Sequence, residues 1–69
     1  MTILLNGDRY ELNDLAGSVT VAELLSRLDI DARRVAVEHN VVVLKHTAFP
    51  ETVLHDGDQV EIVNFVGGG

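Results

Sequence analysis

Three glycines, Gly67-Gly68-Gly69, close the sequence and make up half of its six glycines. At ordinary glycine usage such a triplet arises by chance in roughly 3 of 10,000 sequences. Three extended residues reach about 10 Å, and without side chains they can thread a narrow channel in another protein. The reactive group on such a probe is the carboxylate of Gly69. It is ionised and inert at neutral pH, so to serve as an acyl donor it must first be activated, most economically as an acyl-adenylate formed with ATP. A side chain beside the reacting carbon would obstruct attack, which is a chemical reason for glycine there. The bland alternatives are a frayed end or a cloning remnant.

Other side-chain chemistry is sparse. With no cysteine, the chain has no disulfide, no thiolate nucleophile and no thiolate metal ligand. His39, His46 and His55 stand at spacings that match no ligand motif, and they read as surface or loop histidines near turns rather than a base or a metal site. Asp56 and Asp58 flank Gly57 but are too few for a calcium loop. Arg33-Arg34 is a basic pair suited to a solvated position. These features predict no catalytic residue, no metal and no bound cofactor, hence a protein that is not an enzyme. A net charge of −6 repels a phosphate backbone, which argues against nucleic acid and leaves a basic protein partner open. No apolar run approaches the roughly 20 residues that span a bilayer, and Asn6-Gly7-Asp8 interrupts any signal-peptide core. A cytoplasmic location is the default expectation.

The elements that must position the tail follow from periodicity. Residues 2–6 predict a strand, Asn6-Gly7-Asp8 a tight turn and residues 9–12 a second strand. Gly17 and Ser18 punctuate the chain. Thr20 and Glu23 then form a capping box at the start of a helix over 21–28, with Val21, Leu24, Leu25 and Leu28 on one apolar stripe. From 34 to 39 Val35 and Val37 alternate inward against Ala36 and Glu38. Asn40 marks a turn, 41–44 a further strand, and 47–51 an irregular turn around Pro50 with Phe49 beneath it. Asp56-Gly57-Asp58 is the last turn and 59–66 the final strand. This order predicts an α+β fold, a mixed four- to five-stranded sheet on one main helix, with residues 1–66 as the domain and 67–69 as a flexible tail. By alternation Leu4, Val63 and Phe65 point away from Ile3, Leu5, Val60 and Ile62. They predict an apolar, partner-binding patch near the tail, with scattered or covered surface apolars as the alternative.

The layout and the tail together resemble the ubiquitin-like sulfur carriers, and within them the carriers of thiamine biosynthesis. The likeness runs through Met-Thr-Ile-Leu-Leu-Asn-Gly from Met1 to Gly7, Thr-Val-Ala-Glu-Leu-Leu from Thr20 to Leu25 and Val-Ala-Val-Glu-His-Asn from Val35 to Asn40. It continues from Asp56 to Gly69, with Val66-Gly67-Gly68-Gly69 the most specific piece. The resemblance implies a ubiquitin-like β-grasp fold. It also implies that Gly69, preceded by Gly68, is adenylated by a ubiquitin-activating-like adenylyltransferase that uses ATP. A cysteine desulfurase or rhodanese persulfide would then supply the sulfur of a C-terminal thiocarboxylate, which passes to thiazole synthase. Where many family members have Asn-Gly this chain has Asn40-Val41, and Lys45-His46-Thr47-Ala48 matches no familiar form; both departures fall in a turn and a loop. Carriers for molybdopterin, cysteine or tRNA thiolation share the same layout, although the molybdopterin branch typically reaches its glycines through a proline, which Val63-Asn64-Phe65-Val66 lacks. A different class of reading is a ubiquitin-like interaction module or protein modifier.

Overall fold

The computed structural model describes residues 1–13 and 18–65. Gly17 of the predicted punctuation, Val66 of the predicted last strand and the glycines Gly67, Gly68 and Gly69 lie outside the described residues. Strand β1 (Thr2–Leu5) turns at Asn6-Gly7 into β2 (Asp8–Glu11). After the short β3 (Val19–Thr20) comes helix α1 (Val21–Arg27), then a 3₁₀ turn at Ala32–Arg34 and β4 (Val35–His39). Next are β5 (Val42–Val43), a second 3₁₀ turn at His46–Ala48, β6 (Val53–Leu54) and β7 (Gln59–Asn64). The main sheet has the order β2-β1-β7-β4-β5, and β3 and β6 make a separate two-stranded pair. Strand β7 runs parallel to β1 and antiparallel to β4, so the sheet is mixed. This is the α+β arrangement expected, a five-stranded sheet on one helix.

Helix α1 begins as the sequence predicts. The Glu23 backbone N–H donates to the Thr20 hydroxyl at 3.2 Å, and the Thr20 backbone N–H donates to the Glu23 carboxylate at 3.1 Å, so two free amides are satisfied at once. It ends with Leu28 as the C-cap and Asp29 at φ 59°. The Ile30 N–H reaches back to the Leu25 carbonyl and the Asp29 N–H to the Ser26 carbonyl, the pairing that closes a helix around a left-handed residue. Val21, Leu24 and Leu25 are buried against Ile3, Val35, Val37 and Val60 of the sheet, with Phe49 and Leu54 closing the far side; Leu28 packs at the margin. Phe49 thus lies beneath the Pro50 turn, as its position suggested.

Two hairpins use the same two-residue turn with unequal chemistry. In the first, Asn6 and Gly7 have φ of 51° and 85°; in the second, Asn40 and Val41 have φ of 50° and 72°. Both central residues of this turn need positive φ, which Asn and Gly adopt readily and a β-branched residue resists. Val41 gains little in return, being 78% exposed. A left-handed conformation costs a side-chain-bearing residue about 1–2 kcal/mol, offset in part by the larger entropy glycine loses on folding. Val41→Gly is therefore expected to stabilise the protein by about 1 kcal/mol, raising its melting temperature by roughly 4–8 °C. A thermal melt that does not move would show that the valine is held there without strain.

The boundaries differ from expectation in small, explicable ways. Val41 belongs to the turn, which leaves β5 with only two residues. Arg34 ends the 3₁₀ turn instead of opening β4. Strands β3 and β6, two residues each, are too short to show a period in the sequence.

Candidate functional site

The strand nearest in sequence to Gly67-Gly68-Gly69 is β7, the central strand of the sheet. Its backbone is held from both sides by side chains as well as by ladders. On the β1 side the Asn6 carboxamide accepts from the Ile62 N–H at 2.7 Å and donates to the Ile62 carbonyl at 3.3 Å. On the β4 side the Asn40 backbone N–H donates to the Gln59 carbonyl at 2.8 Å while the Asn40 carboxamide oxygen accepts from the Gln59 N–H at 2.9 Å. Each asparagine therefore serves twice, taking the positive φ of its turn and extending the pairing of β7 past the end of a neighbouring strand. Sequence reasoning saw both as turn residues and missed this second role; nothing in a linear pattern announces it. One further bond, from the Phe65 N–H to the Arg34 carbonyl at 2.9 Å, keeps the chain in register with β4 beyond the last strand residue.

The three residues of the predicted apolar patch are all exposed, Leu4 at 37%, Val63 at 58% and Phe65 at 49%. Phe65 follows the last residue of β7, outside the pairing that sets the faces; Leu4 and Val63 share the outer face of the sheet. The register separates them: Leu4 stands opposite Gln59, four positions before Val63 on β7, with Glu61 between. Ala36 of β4 stands directly across from Val63, and the His46 ring lies 6.5 Å from the Phe65 ring. The same outer face carries Val43, the cross-strand partner of Glu38. Glu38 and Glu61 face each other directly across β4 and β7.

His46 and His55 are exposed and lie outside the strands, as expected, but His39 requires a correction. His39 is no loop residue: it ends β4 on the inward side of the alternation begun by Val35 and Val37, and its Nε2 lies 2.7 Å from the Asp58 carboxylate. Asp58 also accepts from the His55 N–H at 2.9 Å and from the Asn40 carboxamide at 3.2 Å. His46 Nε2 lies 3.0 Å from the Val35 carbonyl oxygen, and its ring meets Phe49 edge-on. The available signal was parity, since His39 continues the spacing of Val35 and Val37. Burial pushes the Asp58 carboxyl upward, but the hydrogen bonds from His39, the His55 backbone and Asn40 outweigh it and leave the group below its usual value of 3.8. A depressed folded-state pKa contributes stability that is present above 3.8 and lost as pH falls through the folded value. Urea midpoints measured on either side of pH 4 should therefore fall on acidification, and less steeply in Asp58→Asn; parallel curves would remove Asp58 from the account.

Arg33 and Arg34 are committed locally. The Asp31 carboxylate receives two bonds from the Arg33 guanidinium, at 3.0 and 3.1 Å, and lies 3.7 Å from Arg34. Hydrogen bonding by the Arg33 side chain and backbone, with the charges of both arginines, holds the Asp31 carboxyl at about 2. Among the described residues no group of three or more His, Asp or Glu is placed to hold a metal ion. No helix among them is long and apolar enough to cross a membrane.

With this geometry in place, the comparisons with known proteins converge. The sequence model of the ThiS family matches residues 3–69. The chain is 38% identical over its full length to a thiazole synthase of Paramagnetospirillum magneticum, of which it spans only 20%. It is also 38% identical, over 50 residues, to the sulfur carrier protein ThiS of Bacillus subtilis, covering 72% of this chain and 76% of that one. The crystal structure of a thiamine biosynthesis protein, ThiS, from Geobacter metallireducens superposes with a TM-score of 0.84 at 44% identity and full coverage of both chains.

Proposed function

Since this chain belongs to the ThiS family, we propose that it is a sulfur carrier of thiamine biosynthesis, a co-substrate and not an enzyme, that works through the carboxylate of Gly69. In this reading residues 1–66 are the recognition domain and 67–69 the probe. A ubiquitin-activating-like adenylyltransferase would join the carboxylate to AMP from ATP with release of pyrophosphate; the outer sulfur of a persulfide donor such as a cysteine desulfurase or rhodanese would displace the AMP, and a thiol would then cleave the resulting acyl disulfide, leaving the thiocarboxylate and a disulfide. The thiocarboxylate then gives its sulfur to thiazole synthase for ring formation. ATP is used by the activating enzyme, and the carrier itself needs no bound cofactor.

The observation that carries this reading is the family match running through residue 69, on a chain whose central strand, clamped by Asn6 and Asn40, leads toward Gly67, Gly68 and Gly69. Two relatives named thiazole synthase, each about five times longer than this chain, contain a matching stretch, which supports a synthase as the receiving partner. A carboxylate held in glycine gains its reactivity only inside a partner, so this reading asks no nucleophile or base of the chain itself.

The test is an intact-mass spectrum after incubation with ATP, the activating enzyme, a persulfide donor and a thiol reductant. The expected change is the mass difference of one oxygen replaced by sulfur. An unchanged mass, under conditions that charge the Bacillus carrier, would favour the interaction-module reading.

A further inference from the structure

The outer face of the sheet holds an arrangement that works against the fold. Glu38 and Glu61 are direct cross-strand partners, and like charges opposite one another in an antiparallel pair repel. Neither carboxylate has a hydrogen bond or ion pair among the described residues. The ladder alone does not require this, since any polar residue would satisfy the solvent side of β4 and β7. The face is apolar on one side of the two carboxylates, with Val43 across from Glu38 and with Ala36 and Val63 paired at the next outward position, and polar on the other, where Gln59 holds the neighbouring outward position of β7. Val43 and Val63 are exposed, so the acidic pair borders an uncovered apolar patch.

We propose that this face docks thiazole synthase by receiving one arginine side chain between Glu38 and Glu61, with Val43, Ala36 and Val63 excluding water on one side of it. The occupant follows from the chemistry. Two facing carboxylates present acceptors on both sides of a gap, and a guanidinium offers donors along more than one edge of a plane, which an ammonium does not. Apolar neighbours lower the local dielectric and strengthen the contact. The chain as a whole carries eleven acidic residues against five basic ones, and that field favours approach of a basic surface. Glu61 is on β7, the strand that leads to the glycines, so a contact there fixes the strand from which the tail enters the synthase. This docking mode rests on the sulfur-carrier reading above and adds to it the side-chain chemistry that the partner must present.

The test is calorimetric binding of the full chain to thiazole synthase from the same organism, for the parent and for E38Q, E61Q and the double variant, with E51Q as a control for loss of one distant charge. Glutamine keeps the shape and removes the repulsion, so thermal melts of the variants should match or exceed the parent. Binding is expected to weaken about tenfold or more in the double variant and little in E51Q. Added salt should weaken the parent more than the double variant. Parent-like affinity in the double variant, or a loss no larger than that of E51Q, overturns the docking mode while leaving the carrier function standing. Failure of the parent itself to bind the synthase overturns both.

Discussion

Deleting Gly69, or appending one residue after it, is expected to abolish charging with sulfur while leaving the melting curve unchanged. The two halves of this expectation have separate causes. Folding is carried by a cluster that begins at Ile3 and ends at Val60, and among the described residues the last hydrogen bond that holds this end of the chain in register is that of Phe65. No described contact of the core needs residue 69. Charging depends on a carboxylate at a set distance from the folded domain, because adenylation requires the reacting atoms to sit within about 3–3.5 Å of one another in the partner's site. Removing one residue withdraws the carboxylate by roughly 3.3–3.6 Å, and adding one advances it by the same amount. Either displacement exceeds what an aligned attack tolerates, and an appended side chain also crowds the reacting carbon. Intact-mass spectra and thermal melts of the same samples give both readouts. A shortened chain that charges at the parent rate would remove Gly69 from the mechanism, and one that unfolds would make the tail a structural element.

The folding unit was legible in the sequence because its elements are written locally. Thr20 and Glu23 are three residues apart, and the apolar stripe of Val21, Leu24 and Leu25 repeats within two turns of helix, so short-range spacing was enough. The first hairpin was equally plain, since Asn6-Gly7 is the residue pair its turn demands. Most of what was not legible depends on pairings between distant positions. The parallel register of β1 with β7 sets Leu4 opposite Gln59 and so divides Leu4 from Val63; alternation correctly put both on the outer face but contained no information about how far apart they stand. The bond between His39 and Asp58 spans 19 residues, and the clamp of Asn6 on Ile62 spans 56. In each case the residue type could be read and its partner could not. Val41 is the reverse case, a residue whose type argues against the turn it occupies, tolerated because the β4–β5 pairing and the Asn40 clamp hold the turn in shape.

Leu24→Ala is expected to cost about 2–5 kcal/mol of stability, the largest loss of any single truncation on the helix stripe. Leu24 has no exposed surface and lies within the core cluster, between sheet and helix. Removing its side chain loses the transfer free energy of the buried atoms and leaves a cavity that the flanking β-branched residues Val21, Val35 and Val37, restricted in rotamer, are poorly able to fill. At ordinary stability per residue a domain of 69 residues has about 3–10 kcal/mol in all, so the variant is expected to be partly unfolded near its melting range even in the absence of denaturant. Leu28→Ala, at the half-buried margin, should cost less. Urea denaturation followed by circular dichroism measures both, and a loss below about 1 kcal/mol for Leu24 would mean that helix and sheet close over the gap. The same variant also separates stability from chemistry: at low temperature, where its folded fraction recovers, it should charge as the parent does, because nothing in its defect touches the carboxylate or the outer face. A Leu24→Ala protein that is folded yet cannot be charged would show that the partner reads the helix side of the domain, and would move the recognition surface from the outer sheet face to α1.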